Sequence, residues 1–216
     1  MKKKNIIVVV LVAVLLVLGI VVVFLNRESE LTKYSENTVI AKTESYKLDL
    51  RIYGSYDKKS YNKIVMVSNH KNTDKNITIT DMGEEEKVTE YVVKDKKKYQ
   101  VNEGRLSEVK TISYEDTDIY LSGIEKMKAV KEEASQEISD TTYKVYSGVV
   151  DAKVVNNIIS HTDLEITVEN DASVEVWLTP TNEIYKVYYK VGDLTLYASY
   201  FGFGKINSIN LDQYKA

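Results

Sequence analysis

The sequence predicts an N-terminal transmembrane helix followed by a mainly-β (α+β) domain of antiparallel strands with a few short helices. Three observations lead there. A run of 20 apolar residues near the N-terminus carries no charge. From Tyr46 onward, apolar and polar side chains alternate in short stretches, the period of a half-buried strand. Those stretches are joined by tight polar turns, too short for the crossover helices that a parallel sheet needs.

The apolar run extends from Ile6 to Leu25, behind Lys2, Lys3 and Lys4. As a helix it rises about 30 Å, the thickness of a bilayer's hydrocarbon core. The cationic flank lies before the run, and Asn26-Arg27-Glu28-Ser29-Glu30 follows it. That asymmetry keeps the N-terminus in the cytoplasm and exports the rest. The expected organisation is a cytoplasmic tail (1–5), a single membrane span (6–25), a linker (26–45) and an extracytoplasmic β domain (46–216). A cleaved signal peptide fits less well, because its apolar region usually runs about 7–15 residues and ends in small residues. Here the run ends Val23-Phe24-Leu25-Asn26, and no cysteine is present for lipidation. A buried core helix fits poorly too, since Ile and Val occupy every face.

Residues 26–216 hold 26 basic and 32 acidic side chains, a formal charge of −6. That balance speaks against nucleic acid or anionic headgroups as bulk electrostatic partners. With no Cys there is no disulfide framework, so the core alone stabilises an exported domain, which suits a bacterial envelope. Tyrosine is abundant, 17 against 3 Phe and 1 Trp. A sheet with one wet face accounts for this, as Tyr favours strands and tolerates both environments. A sharper reading is an amphipathic cavity or sheet surface for a lipid or glycan.

Taken in order, Tyr46–Gly54 places Leu48, Leu50 and Ile52 on one face and Lys47, Asp49 and Arg51 on the other. Asp57-Lys58-Lys59-Ser60 is a turn, Lys63–Ser68 a strand carrying Val65 and Val67, and Asn69–Lys75 a second turn. Ile77–Thr80 is a third strand with Ile77 and Ile79 inward. The turn Asp81–Glu84, the strand Val88–Lys94, the turn 95–97 and the short strand Lys98–Val101 complete a meander. The middle differs. Tyr114–Lys128 has Ile119, Leu121, Ile124 and Met127 near helical spacing, with Asp116, Thr117 or Asp118 as cap, although Gly123 weakens it. Ala129–Ile138 and Thr142–Val150 return to strand texture. Asp151–Thr162 reads as a second helix, capped by Asp151 and striped by Val154, Val155, Ile158 and Ile159. Four strands close the chain: Leu164–Val168, Ser173–Leu178, Glu183–Val191 and Leu194–Tyr200. The last two are joined by a Gly192-Asp193 hairpin.

Catalytic chemistry finds little support. His70 lies in a polar turn and His161 at a helix end, each without an identifiable partner, so solvated or capping roles are expected. Without Cys or a spaced His pair, zinc has no ligand set. The acidic stretches Asp81–Glu86 and Glu115–Asp118 do not match a calcium loop. Gly202-Phe203-Gly204 is not a phosphate loop, no G-x-S-x-G occurs, and the sequon Asn76-Ile77-Thr78 falls in a strand. No catalytic residue, cofactor or metal site is expected.

The order of elements resembles the LolA/LolB and LprG/LppX group of bacterial lipoprotein- and lipid-carrier domains. The likeness rests on Asp118–Ile124, Tyr143-Lys144-Val145-Tyr146, Val174–Leu178 with Ile184–Val187, and the ending Tyr200-Phe201-Gly202 to Ile209. The family's terminal Pro is absent, with Leu211-Asp212 in its place, and its lipobox Cys is replaced by the apolar run. The resemblance implies a curved antiparallel sheet, a half-open barrel, whose concave face is covered by short helices and receives acyl chains without chemistry. The cavity wall would be Leu48, Leu50, Ile52, Val65, Val67, Ile77, Ile79, Val174, Val176, Leu178, Leu194 and Leu196, with Ala198 beside them; ordinary core packing is the alternative role for each. The expected function is a membrane-anchored, non-enzymatic binding protein for a lipid or other apolar ligand at the bacterial envelope. An envelope interaction or sensory module, docking a protein partner with its cavity filled by side chains, is the alternative.

Overall fold

A computed structural model describes residues 45–71, 73–206 and 208–214. The expected tail, span and almost all of the linker lie outside the described residues. Among those described, no helix is long and apolar enough to cross a membrane.

Within the described residues, twelve strands form one antiparallel system. They are β1 (Ser45–Tyr56), β2 (Lys59–His70), β3 (Asp74–Met82), β4 (Glu86–Lys94), β5 (Lys97–Asn102), β6 (Arg105–Glu108), β7 (Lys128–Glu132), β8 (Gln136–Ile138), β9 (Thr141–Val150), β10 (Ala172–Leu178), β11 (Ile184–Val191) and β12 (Leu194–Phe201). Across the sheet the order is β6-β5-β4-β3-β2-β1-β12-β11-β10-β9-β7, with β8 paired to β9. The sheet is curved and unclosed. Two meanders, one from each half of the chain, are joined at the middle where β1 pairs with β12.

Local chemistry sets the hairpins. Asp57-Lys58, Asp95-Lys96 and Ser139-Asp140 have positive φ at both central positions, the two-residue turn whose twist suits paired strands. Gly192 supplies the single positive φ of the β11–β12 turn. Gly54 is fixed by proximity: a Cβ there would lie 1.8 Å from the Asp193 carbonyl oxygen, at a φ of +103°.

The ladders put Leu48, Leu50 and Ile52 opposite Val67, Val65 and Lys63 on one side, and opposite Tyr200, Ala198 and Leu196 on the other. This inner face meets helix α1 (Ala152–Ile159), which buries Val154, Val155, Ile158 and Ile159. Helix α1 begins where expected, but Asp151 makes no side-chain cap. Asp171 Oδ1 accepts the Ala152 N–H instead, at 3.0 Å, and Asp151 pairs with Lys128.

Three expectations are corrected. Tyr114–Lys128 is not an α-helix; it holds two single-turn 3₁₀ helices, Ile119–Leu121 and Ile124–Lys126. The carbonyls of Thr117 and Tyr120, which an α-helix would give to the N–H groups of 121 and 124, accept the hydroxyls of Tyr200 and Tyr189 instead. Leu164–Val168 is not a strand, although Leu164 and Val168 are buried. The Asn156 side-chain amide, from α1, accepts the Val168 N–H at 2.8 Å and donates to its C=O at 2.9 Å, replacing a neighbouring strand. Finally, His70 is not in a solvated turn: it ends β2, half-buried, with Nδ1 2.8 Å from the Ile206 carbonyl oxygen.

A tyrosine-roofed apolar interior as candidate site

The expected wall residues come together. Leu48, Leu50, Ile52, Val65, Val67, Ile77, Ile79, Val174, Val176, Leu178, Leu194 and Leu196 all belong to one hydrophobic cluster, and each is between 0% and 7% exposed. They come from β1, β2, β3, β10 and β12, so the apolar surface spans both halves of the sheet. Other buried side chains of the same cluster pack over them.

The filling is largely tyrosine. The largest fully buried side chains include Tyr46, Tyr114, Tyr120, Tyr189 and Tyr200. Tyr46 and Tyr200 meet edge to face, ring centroids 5.9 Å apart, and Phe203 lies 6.5 Å from Tyr46. Burial raises the pKa of all five hydroxyls, so each stays protonated and able to donate.

Those hydroxyls fasten a cover, residues 114–127, to the sheet. Tyr200 donates to the Thr117 carbonyl at 2.8 Å, and Tyr189 to the Tyr120 carbonyl at 2.7 Å. Tyr46 bonds to Thr117 Oγ1 at 2.5 Å and donates to Asp118 at 3.0 Å. Tyr114 donates to Asp163, beyond α1. Gly123 makes the fit: a Cβ there would lie 2.5 Å from the Tyr189 hydroxyl and 2.6 Å from its ring. The Tyr120 hydroxyl is buried and has no hydrogen-bond partner among the described residues.

A polar cleft of ≈ 550 Å³ flanks the cover, lined by Lys75, Tyr91, Ser113, Glu115, Asp116 and His161 among others. Lys75 donates to the Glu115 carbonyl at 2.7 Å, and Lys98 pairs with the Glu115 carboxylate at 2.5 Å. His161 sits 3.5 Å from Asp116. Desolvation lowers the Lys75 pKa, against the pull of Glu115, Asp118 and Asp116. No group of three or more His, Cys, Asp or Glu side chains suited to a metal ion occurs among the described residues.

Sequence reasoning named the aliphatic wall and missed the roof. Three of its rings were readable: Tyr46 shares the parity of Leu48 and Leu50, Tyr200 that of Leu196 and Ala198, and Tyr189 that of Val187 and Val191. Tyr114 lies in a turn and Tyr120 in a single-turn 3₁₀ helix, too short for a period to announce either.

No protein-family model matches the sequence. A search of curated proteins also returns no match. Solved structures do match. LprF from Mycobacterium bovis aligns at a TM-score of 0.58 and 12% identity, over 87% of this chain and 98% of that one. The lipoprotein LppX from Mycobacterium tuberculosis aligns at 0.58 and 12%, over 87% and 99%. At this identity the likeness is one of fold, and it extends along nearly the whole of both neighbours.

Proposed function

We propose that this chain is a membrane-anchored, extracytoplasmic, non-enzymatic binding protein. It takes a lipid or other apolar ligand between the concave face of the sheet and the cover. The observation that carries the reading is an aliphatic face drawn from five strands and roofed by a segment without a regular helix, tied down through tyrosine hydroxyls. The cover also packs Tyr114, Tyr120, Leu121, Ile124 and Met127 into the same cluster, so an apolar ligand would take over those contacts as it enters. The fold shared with LppX and LprF supports the same assignment. So does the Tyr120 hydroxyl, since an unpaired buried donor costs about 1–3 kcal/mol and a ligand's polar group would satisfy it. The apolar run at 6–25 would hold the domain against one bilayer, so the ligand would be received or presented locally rather than shuttled.

The test is the full chain purified in detergent and mixed with a photoactivatable phospholipid. Cross-links within 46–52, 174–178 or 114–127 support the proposal. Labelling confined to 6–25 would falsify it. A second reading, an interaction or sensory module of the same fold, is favoured by the near-zero exposure of the wall. It predicts no interior label, together with a specific membrane-protein partner.

A further inference from the structure

The outer face of the sheet carries a different feature, independent of the interior. Two clefts, of ≈ 560 and ≈ 450 Å³, share Tyr53 and Tyr188 and so form one groove. Register shows its direction. Tyr197 on β12 stands beside Tyr188 on β11, and Tyr188 beside Glu175 on β10; in the adjacent row, Tyr53 on β1 stands beside Thr195 and Thr195 beside Lys190. The groove therefore runs across the strands from β2 to β9. At about 4.8 Å per strand it is about 24 Å long. One end is walled by Ala129 and Lys131 of β7, at the register shift where Ala129 takes a φ of +53°.

We propose that this groove is a binding site for a linear glycan. Its lining mixes half-buried rings with hydrogen-bonding side chains. Tyr188 and Tyr197 lie 4.9 Å apart at 48°, Tyr53 is 44% exposed, and Lys131, Lys190 and Glu175 stand among them. A sugar ring needs both parts. Its C–H face meets the electron-rich face of an aromatic ring, and its hydroxyls bond to the charged and polar groups around it. Other occupants fit less well. Protein interface cores are depleted in Lys, Glu and Ser, which line this groove together with Ser147 and Ser173. A membrane surface would leave Glu175 facing lipid, and a single-stranded nucleic acid would meet a domain of net negative charge.

The full chain in lipid nanodiscs is titrated with a hexamer of β-1,4-linked N-acetylglucosamine, and with a panel of neutral and acidic linear glycans, followed by saturation-transfer NMR and calorimetry. At least one glycan binds, saturation is strongest at ring C–H protons, and Tyr53→Ala and Tyr188→Ala each weaken binding at least tenfold. Tyr188→Phe retains it, and Val88→Ala, exposed elsewhere on the sheet, leaves it unchanged. If Tyr188→Ala unfolds, the exposed Tyr53 carries the test. Binding by no glycan on the panel overturns the proposal, as does binding undiminished in Tyr53→Ala.

Discussion

Removing one oxygen from the roof should loosen the cover without disturbing the sheet. In Tyr200→Phe the ring still packs against Tyr46, but the Thr117 carbonyl, in a residue 2% exposed, loses the hydroxyl that satisfies it at 2.8 Å. An orphaned buried acceptor costs about 1–3 kcal/mol. For a domain of this size 1 kcal/mol moves the thermal midpoint by about 2–4 °C, so a drop of about 4–8 °C is expected at the centre of that range. Unfolding in detergent, followed by the single Trp177, measures it, with Tyr53→Phe on the exposed face as the control. Hydrogen exchange localises it: amides of 114–127 should exchange faster, while those of β1 and β12 change only by the global loss. A midpoint within 1 °C of the control, or faster exchange spread evenly over the sheet, would refute the reasoning that the hydroxyl fastens the cover.

Other outcomes follow from the same geometry. Gly123→Ala should cost about 1–3 kcal/mol by overpacking against Tyr189, and Tyr189→Leu in the same chain should recover part of it, as a double-mutant cycle would show. Gly54→Ala should cost about 3 kcal/mol, from the clash with the Asp193 carbonyl and the positive φ together. Leu50→Ala, with no exposure in the wild type, should lose about 2–5 kcal/mol in chemical denaturation. Burial works against ionisation of Asp74, yet Lys94 at 2.5 Å, the Asp95 N–H at 3.2 Å and Thr73 hold its pKa below the usual carboxylate value. Its charge therefore stabilises the fold above the unfolded pKa, and that contribution disappears as pH falls through the lower folded value. The stability gap between wild type and Asp74→Asn should be flat from about pH 5 to 7 and narrow below about pH 4.

How much of this was legible in the sequence depends on what each residue's environment owes to its neighbours in the chain. Leu48, Leu50 and Ile52 are readable because period two is a local property, and burial followed their parity. Most turns were readable for the same reason. Strand β6 was not: Arg105-Leu106-Ser107-Glu108 has one apolar residue, and only its ladder with β5 makes it a strand. The stretch 114–128 shows the opposite failure. Its apolar spacing is helical, but hydroxyls from β11 and β12, dozens of residues away, take the carbonyls a helix needs. Leu164–Val168 alternates as a strand does, and its inward side chains are buried, yet Asn156 occupies the position of its partner. The outer groove was foreshadowed only by the tyrosine count; which rings share a row follows from register, and register is not local.

The pairing of β1 with β12 also governs the order in which the domain can assemble. The N-terminal meander is a run of successive hairpins and the C-terminal one pairs strands still near in sequence, with α1 between β9 and β10, so each can form as its residues emerge. The seam, however, joins segments about 150 residues apart in the chain. Until Leu194–Phe201 arrives, β1 remains an open edge whose N–H and C=O groups are free to recruit another chain. The final strand thus acts as a keystone. A chain interrupted just before it would leave two unjoined half-sheets rather than a shortened domain, and export that delays it lengthens the interval in which β1 is open to aggregation. Once it docks, the Gly204 N–H bonds to the Ser45 carbonyl at 2.8 Å, closing the seam beside the point where the chain enters the sheet.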